Sequence, residues 1–305
     1  MTLLELSGLQ KLYMFLLRCY PFYTGAGFIS NLRLSRFILG KKSGLIWAKL
    51  HNKMRVLVFN DDWSGRSVIL MGDDDRKVTW LLSKVLLDGD TVLDIGANMG
   101  YVSLYLSHLV GDRGRVYSFE PNPNLVDLMT RSIKKNKLKN ITVFPVALGE
   151  EEGELPLSIP DGHTGMASLS RTFSHRAINT VRVPVRTLQT CLDSDLIGPV
   201  KLVKIDVEGF EWQVLKGSAS FFSGTKPELI LFEHNDPSSL FVASKIHAFL
   251  SELNYVFFVI PKRFFSMSII ALGSAGKVDY NDVLAIREDC VEAVSKRLSI
   301  EGYKK

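Results

Sequence analysis

The run TVLDIGANMGYVS at residues 91–103 constrains the fold more than any other stretch of the chain. It begins with β-branched and apolar residues, as is typical of a strand covered on both faces. Gly96 and Gly100 follow, at positions where a chain can turn sharply and approach a ligand closely. The run therefore predicts a buried strand, a tight turn and the start of a helix whose N-terminal amides point back at the turn.

The spacing of this turn separates two classes of nucleotide ligand. A dinucleotide site has the spacing G-x-G-x-x-G, which seats a pyrophosphate at a helix N-terminus. Here Asp94 stands two positions before Gly96, and its carboxylate would repel a pyrophosphate. A carboxylate suits a ligand with an ammonium group and a sulfonium, and S-adenosylmethionine carries both. The turn therefore favours S-adenosylmethionine over a nicotinamide cofactor.

A second apolar stretch, residues 116–119, ends at Glu120, which lies 26 residues after Asp94. A carboxylate at this place can accept hydrogen bonds from both hydroxyls of a ribose, a role that it also has in nicotinamide enzymes. Glu120 alone leaves the ligand open. Together with Asp94, it favours the methyl donor.

Strands and helices alternate along most of the chain, which predicts an α/β fold with a mostly parallel sheet and helices on both faces. Ligands bind beyond the carboxyl ends of such strands. Four acidic residues fall at those ends, and they are Asp94, Glu120, Asp206 and Glu233. We therefore expect these four carboxylates to share one site.

Three other segments carry structural predictions. Residues 55–59 and 67–70 have the pattern of a β-hairpin. The triplet Asp73-Asp74-Asp75 precedes a predicted helix, and we expect one of its carboxylates to line the cofactor mouth. A long polar loop with Gly162, His163, Gly165, Ala167 and Ser168 has the length of a functional loop, so we expect a lid or a wall of the acceptor site.

Composition narrows the function further. With 46% hydrophobic and 23% charged residues the chain is globular. Its net charge of +5 is partly gathered at residues 134–139, and the neighbouring aromatic or basic segments that nucleic-acid binding needs are missing. The three cysteines, Cys19, Cys191 and Cys290, form neither a disulfide framework nor a metal pair. With no signal-peptide or membrane-spanning pattern, these features predict a cytoplasmic protein.

The motifs taken together resemble those of the FkbM-type methyltransferases. They are Asp94-Ile95-Gly96-Ala97-Asn98-Met99-Gly100, Glu120-Pro121, Ala147-Leu148-Gly149 and Lys204-Ile205-Asp206-Val207-Glu208-Gly209-Phe210-Glu211. The likeness covers about residues 56–288. It implies a class I methyltransferase-like (Rossmann-like) fold, S-adenosylmethionine as cofactor, and methylation of hydroxyl oxygens on natural products and sugars.

The candidate site residues follow from position and resemblance. We expect cofactor binding by Asp94, Gly96, Ala97, Asn98, Gly100, Glu120, Asn122 and Ala147, with Ala147 near the adenine as the resemblance implies. Asp206 is the first candidate to remove a proton from the acceptor or to orient it. Glu233 is a second, and His234 is the alternative base because an unperturbed imidazole titrates near neutrality. Oxygen-rich ligands suit Mg²⁺, but no ligand spacing is present, so we predict no metal.

The chain divides into a helical, basic and apolar N-terminal extension (1–52), a methyltransferase domain (53–290) and a C-terminal helical tail (291–305). The extension lies outside the resemblance. Its composition predicts one of two structures. The first is a helical cap packed on the main domain or on a second subunit. The second is an interfacial helix by which residues 1–50 contact an anionic membrane.

The predicted function is O-methylation of a hydroxyl on a sugar, a glycolipid or a small natural product, without a nucleic-acid partner. Two alternatives stay open. One is a non-catalytic binding protein that kept the fold, because a fold alone never establishes an activity. The other is a nicotinamide-dependent oxidoreductase, which the missing G-x-G-x-x-G disfavours.

Overall fold

The computed structural model describes residues 2–40, 42–160, 168–169, 179–192, 198–234, 241–261, 263–273 and 282–303. The helices are α1 (Gly8–Arg18), α2 (Ala26–Ser30), α3 (Arg33–Leu39), α4 (Trp63–Met71), α5 (Arg76–Val85), α6 (Tyr101–Val110), α7 (Pro123–Asn136), α8 (Leu188–Cys191), α9 (Glu211–Gly217), α10 (Ala219–Thr225), α11 (Lys245–Glu252) and α12 (Val291–Ser295). The strands are β1 (Leu45–Lys49), β2 (Arg55–Phe59), β3 (Thr91–Ile95), β4 (Arg115–Phe119), β5 (Ile141–Phe144), β6 (Ala147–Leu148), β7 (Gly153–Ile159), β8 (Asn179–Arg186), β9 (Val200–Ile205), β10 (Leu229–Glu233), β11 (Tyr255–Val259), β12 (Ile269–Ala271), β13 (Asp282–Arg287) and β14 (Ile300–Glu301).

The central sheet confirms the predicted fold class. Its strand order is β14-β12-β11-β13-β10-β9-β3-β4-β5. The five strands from β10 to β5 run parallel, and β13 is antiparallel to both of its neighbours. The chain leaves β3 toward β4 on one side and later returns to β9 on the other. The carboxyl end of β3 is therefore the topological switch point where such sheets bind ligands.

Helices cover both faces of this sheet, as predicted. One apolar cluster includes Leu215 of α9, Phe222 of α10 and Leu250 of α11. The cluster on the opposite face includes Leu82 of α5 and Leu106 of α6. Strands β3 and β10 lie between these clusters and are buried on both sides, which explains their continuous apolar composition.

The hairpin predicted for residues 55–59 and 67–70 is wrong. β2 pairs antiparallel with β1, with Leu45 opposite Phe59, whereas residues 67–70 lie in α4. Asp62 begins that helix by accepting a hydrogen bond from the Gly65 amide at 2.9 Å. Residues 68–71 are apolar and fully buried, and a short apolar run of this kind does not distinguish strand from helix by periodicity.

The N-terminal segment 1–52 contains α1, α2, α3 and also strand β1. The β1–β2 pair crosses the predicted boundary at residue 52, and Leu57 of β2 donates its amide hydrogen to Ser132 Oγ of α7 at 2.9 Å. In the C-terminal tail, α12 is followed by β14, which extends the central sheet beside β12. Within the described residues, the helices are all too short or too polar to cross a bilayer. The three-part division itself stays a prediction.

Candidate active site

A cavity of about 690 Å³ lies at the carboxyl ends of β3, β4, β9 and β10, within the size range of sites for small molecules and cofactors. Seven of the predicted site residues line it: Gly96, Ala97, Asn98, Glu120, Ala147, Asp206 and Glu233. The cavity wall does not include Asp94, Gly100, Asn122 or His234. The strand-end carboxylates Glu120, Asp206 and Glu233 thus meet in one space, and Asp94 lies behind its wall.

The turn after β3 holds three strand ends together. The amides of Gly96 and Ala97 both donate to the Phe119 carbonyl of β4, at 2.9 and 3.0 Å. Gly96 has a φ of +82°, and a Cβ at this position would lie 1.8 Å from the Asp206 carbonyl oxygen. Only glycine therefore allows the β3 turn to pack against the end of β9.

Asn98 continues this turn and fixes Glu120. Asn98 has a φ of +52°, and its amide donates to Glu120 Oε2 at 2.8 Å. The other carboxylate oxygen, Oε1, accepts from the Asn122 amide at 2.8 Å. Burial raises the pKa of Glu120 to about 7, while these two backbone donors act against the shift. The structure thus gives Asn122 a positioning contact with Glu120 rather than a place on the cavity wall.

Asp94 is fully buried. One of its carboxylate oxygens accepts a hydrogen bond from Ser103 Oγ of α6, and the other lies 3.7 Å from Lys204 Nζ. Burial raises the pKa of Asp94, and the Lys204 ammonium opposes that shift. Asp94 therefore lies outside the cavity lining and interacts with Lys204, which lines the cavity.

Gly100 and His234 also lie outside the wall. A Cβ on Gly100 would lie 2.6 Å from Met129 Cγ, so this glycine allows α6 to begin close against α7. The His234 ring packs edge-on against Phe241, with ring centroids 5.2 Å apart. Glu233, directly before His234, lines the cavity.

Lys204 is a cavity residue to which sequence reasoning assigned no role. Its Nζ lies 2.9 Å from Asp206 Oδ2, and its side chain is only 8% exposed. Burial alone would lower the pKa of Lys204, but the carboxylates of Asp206 and Asp94 raise it above its usual range. The ammonium group therefore stays charged inside the cavity. A lysine interrupting the apolar strand β9 was the signal for it in the sequence.

Three carboxylates gather beside this ammonium group. Oxygen atoms of Asp206, Glu208 and Glu233 all lie within 4.8 Å of one another. Burial, with the neighbouring charge of Asp206, raises the pKa of Glu208 to about 7. Such a group can hold an ammonium, a hydroxyl or, by distance, a divalent cation. The prediction of no metal stays a prediction. The trio contains Glu208, which was not among the predicted site residues, and does not contain His234.

A second wall of the cavity comes from the starts of α4 and α5. It contributes Asp62, Trp63, Ser64, Asp74 and Asp75, and we call these residues the helix-start wall. Asp62 and Asp75 cap their helices through backbone amides. Burial raises the pKa of Asp75 to about 6 and also raises the pKa of Asp74. The expectation that the acidic triplet reaches the cavity is met by Asp74 and Asp75. The sequence did not predict that Trp63 and Ser64 line the cavity.

The long polar loop touches the cavity in its described part. Leu169 lines the wall. Ser168 Oγ donates to the Glu208 carbonyl at 2.7 Å, and its backbone pairs with Ser158 of β7. Gly162, His163, Gly165 and Ala167 lie outside the described residues.

Comparison with known protein families identifies the family to which this chain belongs. The model of the methyltransferase FkbM domain matches residues 94–257, more than half of the chain. The matched region begins at the Asp94 turn and includes every predicted site residue. This protein belongs to the FkbM methyltransferase family, and its cofactor is S-adenosylmethionine.

Individual relatives match this chain at low sequence identity or over only part of its length. The hexuronic acid methyltransferase AglP of Haloferax volcanii is 23% identical over 191 residues, 61% of this chain and 74% of that protein. The probable cobalt-precorrin-6B C(15)-methyltransferase (decarboxylating) of Sulfolobus acidocaldarius is 32% identical over 88 residues, 29% of this chain and 42% of its own. The chain thus matches less than half the length of that relative. Among solved structures, Aeropyrum pernix fibrillarin with bound S-adenosyl-L-methionine aligns with a TM-score of 0.37 and 14% identity, over 68% of this chain and 72% of fibrillarin.

Proposed function

We propose that this protein transfers the methyl group of S-adenosylmethionine to a hydroxyl oxygen of a sugar, a glycolipid or a small natural product. One observation carries the proposal. A single cavity joins a cofactor-type wall, with Glu120 and Ala147, to a half-exposed carboxylate, Asp206, and to the acidic and aromatic helix-start wall. Such a cavity has room for a donor and an acceptor side by side.

We call the cavity residues at and after the strand ends the sheet-end wall; they include Gly96, Ala97, Asn98, Glu120, Ala147, Lys204, Asp206, Glu208, Phe210 and Glu233. The chemistry of these residues fits the cofactor. Glu120 would accept hydrogen bonds from the ribose hydroxyls, because each of its oxygens keeps acceptor capacity beyond its one backbone donor. Val146, Ala147, Leu148 and Phe210 supply an apolar surface for the adenine. Lys204 would face the carboxylate of the methionine end, and Glu208 and Glu233 would face its ammonium group, which leaves Asp206 toward the acceptor.

When bound, the cofactor supplies an already activated methyl group. The task of the protein is therefore mainly alignment, which contributes on the order of 7–11 kcal/mol in well-oriented reactions. An acceptor hydroxyl also gains from a base that takes its proton as the new bond forms. Asp206 has this role in our proposal. Lys204 holds its Oδ2 atom at 2.9 Å, which directs the acceptor hydroxyl to Oδ1.

The helix-start wall fits a hydroxylated acceptor. Asp62, Asp74 and Asp75 offer carboxylate oxygens, which accept hydrogen bonds from hydroxyl groups. The Trp63 ring offers a flat apolar surface with a polar edge, suited to the C–H face of a sugar ring. The name of the Haloferax volcanii relative, a hexuronic acid methyltransferase, supports a sugar acceptor. We further propose a cytoplasmic location, which the three free cysteines support.

A transfer assay tests this function. The protein is incubated with radiolabelled S-adenosylmethionine and a panel of hydroxylated sugars, glycolipids and phenols, and label in the acceptor is counted. We expect Asp206→Asn to lower the rate by about 100-fold or more, with S-adenosylhomocysteine still bound. The matched control is Asp112→Asn, on the surface outside the cavity.

Three outcomes contradict parts of the proposal. Full activity in Asp206→Asn removes Asp206 as the base. Label on nitrogen instead of oxygen overturns the acceptor class. No transfer to the whole panel, with cofactor binding intact, supports the non-catalytic binding protein. We also expect EDTA to leave the rate unchanged, because the Lys204 ammonium already supplies the positive charge beside Asp206.

A further inference from the structure

Exposed apolar side chains concentrate at one end of the sequence. Thirteen large apolar side chains are exposed among the described residues, and nine of them lie between Leu3 and Phe37. Isolated exposed apolar residues are normal on protein surfaces, whereas a contiguous set marks an interaction site.

α1 has two apolar sides. Tyr13, Met14 and Leu17 pack against the apolar cluster beneath the helix. Leu9, Leu12, Phe15 and Leu16 are 57–68% exposed. Steps of 100° per residue place the centre of this second set roughly 130° around the helix from the centre of the first. Packing within the chain therefore accounts for one apolar side of α1 and leaves the other exposed to the surroundings.

α3 repeats this arrangement next to α1. Its Ser35 and Leu39 are buried, whereas Leu34 and Phe37 are 58% and 79% exposed. The two helices lie side by side, because Gln10 Nε2 donates to the Leu39 carbonyl at 3.1 Å and the Tyr13 and Ser35 hydroxyls lie 2.9 Å apart. We call the exposed sides of α1 and α3, with Phe28 of α2, the α1–α3 surface.

Basic residues accompany these apolar side chains. Residues 1–60 contain nine lysines and arginines and one acidic residue, Glu5, although the whole chain has a net charge of only +5. Lys11 on α1 and Arg33 and Arg36 on α3 are exposed. A second copy of this chain would present the same positive charge and be repelled. An anionic partner with an apolar interior is complementary on both counts.

We infer that the α1–α3 surface docks on an anionic lipid bilayer. Exposed Leu and Phe side chains enter the boundary between headgroups and acyl chains, and the lysines and arginines contact anionic headgroups.

The surface is also linked to the cavity. Asn31, directly after α2, donates from Nδ2 to the Trp63 carbonyl at 3.2 Å and accepts from Arg66 Nε at 2.6 Å. Docking therefore places the helix-start wall near the bilayer. This step rests on the proposed function, and it indicates that the acceptor is carried by a lipid.

Vesicle co-sedimentation of the full chain tests the docking. Vesicles of phosphatidylcholine alone are compared with vesicles that also contain about 30% phosphatidylserine. We expect binding only to the second kind, and weaker binding at high salt because exposed charges are screened. Phe15→Ser with Phe37→Ser should reduce the bound fraction about tenfold or more, as should Lys11→Glu with Arg33→Glu.

Matched controls change the same chemistry elsewhere. They are Leu87→Ser with Leu155→Ser, and Lys134→Glu with Lys139→Glu, all exposed positions outside the α1–α3 surface. Every variant is first shown to bind S-adenosylhomocysteine, which separates failure of docking from failure of the proposed function.

No vesicle binding, equal binding to both vesicle types, or equal loss in variants and controls would overturn the inference. So would a dimer, measured by light scattering, that dissociates in Phe15→Ser with Phe37→Ser, because the surface would then contact a second copy.

Discussion

The two walls of the cavity are built in different ways. The sheet-end wall is made of backbone turns that follow strands, and its parts bond directly to one another: the Gly96 amide donates to the Phe119 carbonyl and the Asp206 amide to the Ile95 carbonyl. The helix-start wall is made of side chains at the beginnings of α4 and α5. These reach the cavity because α5 packs beside α6, and α4 packs in the apolar cluster that contains Leu104 of α6. In our proposal the first wall, whose strand ends are joined by backbone hydrogen bonds, binds the donor. In our proposal the second wall binds the acceptor.

The largest expected effect comes from Gly96→Ala. The new Cβ would lie 1.8 Å from the Asp206 carbonyl oxygen, at a φ of +82°. The strand ends must separate, so we expect a loss of about 3 kcal/mol or more in the free energy of unfolding and no binding of S-adenosylhomocysteine. Gly89→Ala is the control: Gly89 has a φ of +95° with no atom within 4 Å. Thermal unfolding should show a much larger loss for Gly96→Ala, and similar losses would contradict the tight sheet-end wall.

A smaller and more selective effect is expected from Trp63→Leu. It removes the aromatic surface of the helix-start wall and leaves the sheet-end wall unchanged. We expect the KM for the acceptor to rise about tenfold, with the affinity for S-adenosylhomocysteine unchanged. Trp80→Leu, a partly buried tryptophan outside the cavity, serves as the control. Loss of cofactor affinity in Trp63→Leu alone would contradict the separation of the two walls.

The smallest expected effect concerns pH. Burial raises the pKa of Glu120 and Glu208 to about 7 on the first wall, and of Asp75 to about 6 on the second. Between the ordinary carboxyl pKa and about pH 7, the folded protein therefore binds more protons than the unfolded chain. The free energy of unfolding then falls as pH rises through this window.

We therefore expect the apparent Tm without ligand to be higher at pH 6 than at pH 8, by about 2 °C or more. Glu120→Gln should reduce this difference in Tm. The control Glu154→Gln, at an exposed position on β7, should leave the difference unchanged. A Tm that rises from pH 6 to pH 8 would contradict the buried carboxylates.

What could be predicted from the sequence follows the same division. Strand-end positions depend on local pattern and parallel topology, so Gly96, Glu120 and Asp206 were placed correctly at the cavity. The buried contacts of the motif residues were harder to predict. Asp94 and Gly100 belong to the same motif, yet one lies behind the wall against Lys204 and the other packs on Met129. A motif thus indicates where the site lies and leaves open whether each of its residues contacts a ligand.

The helix-start wall depended on tertiary packing. Residues 67–70 form part of a helix because Asp62 begins it and the surrounding core buries it, which no local period revealed. With that helix misassigned as a strand, Trp63 and Ser64 were placed in a hairpin turn. Lys204 was visible as a charge in an apolar strand, but its partners Asp94 and Asp206 lie across two strand ends.

Calorimetric titration with S-adenosylhomocysteine, alongside NAD⁺, tests the central claim most directly. We predict that S-adenosylhomocysteine binds and NAD⁺ does not, and that Glu120→Ala weakens binding about tenfold or more, since a charged hydrogen-bond acceptor is lost. Glu154→Ala should bind as the unchanged protein does. Binding of NAD⁺, silence from both ligands, or equal affinity in Glu120→Ala would contradict the assignment of the sheet-end wall to the methyl donor.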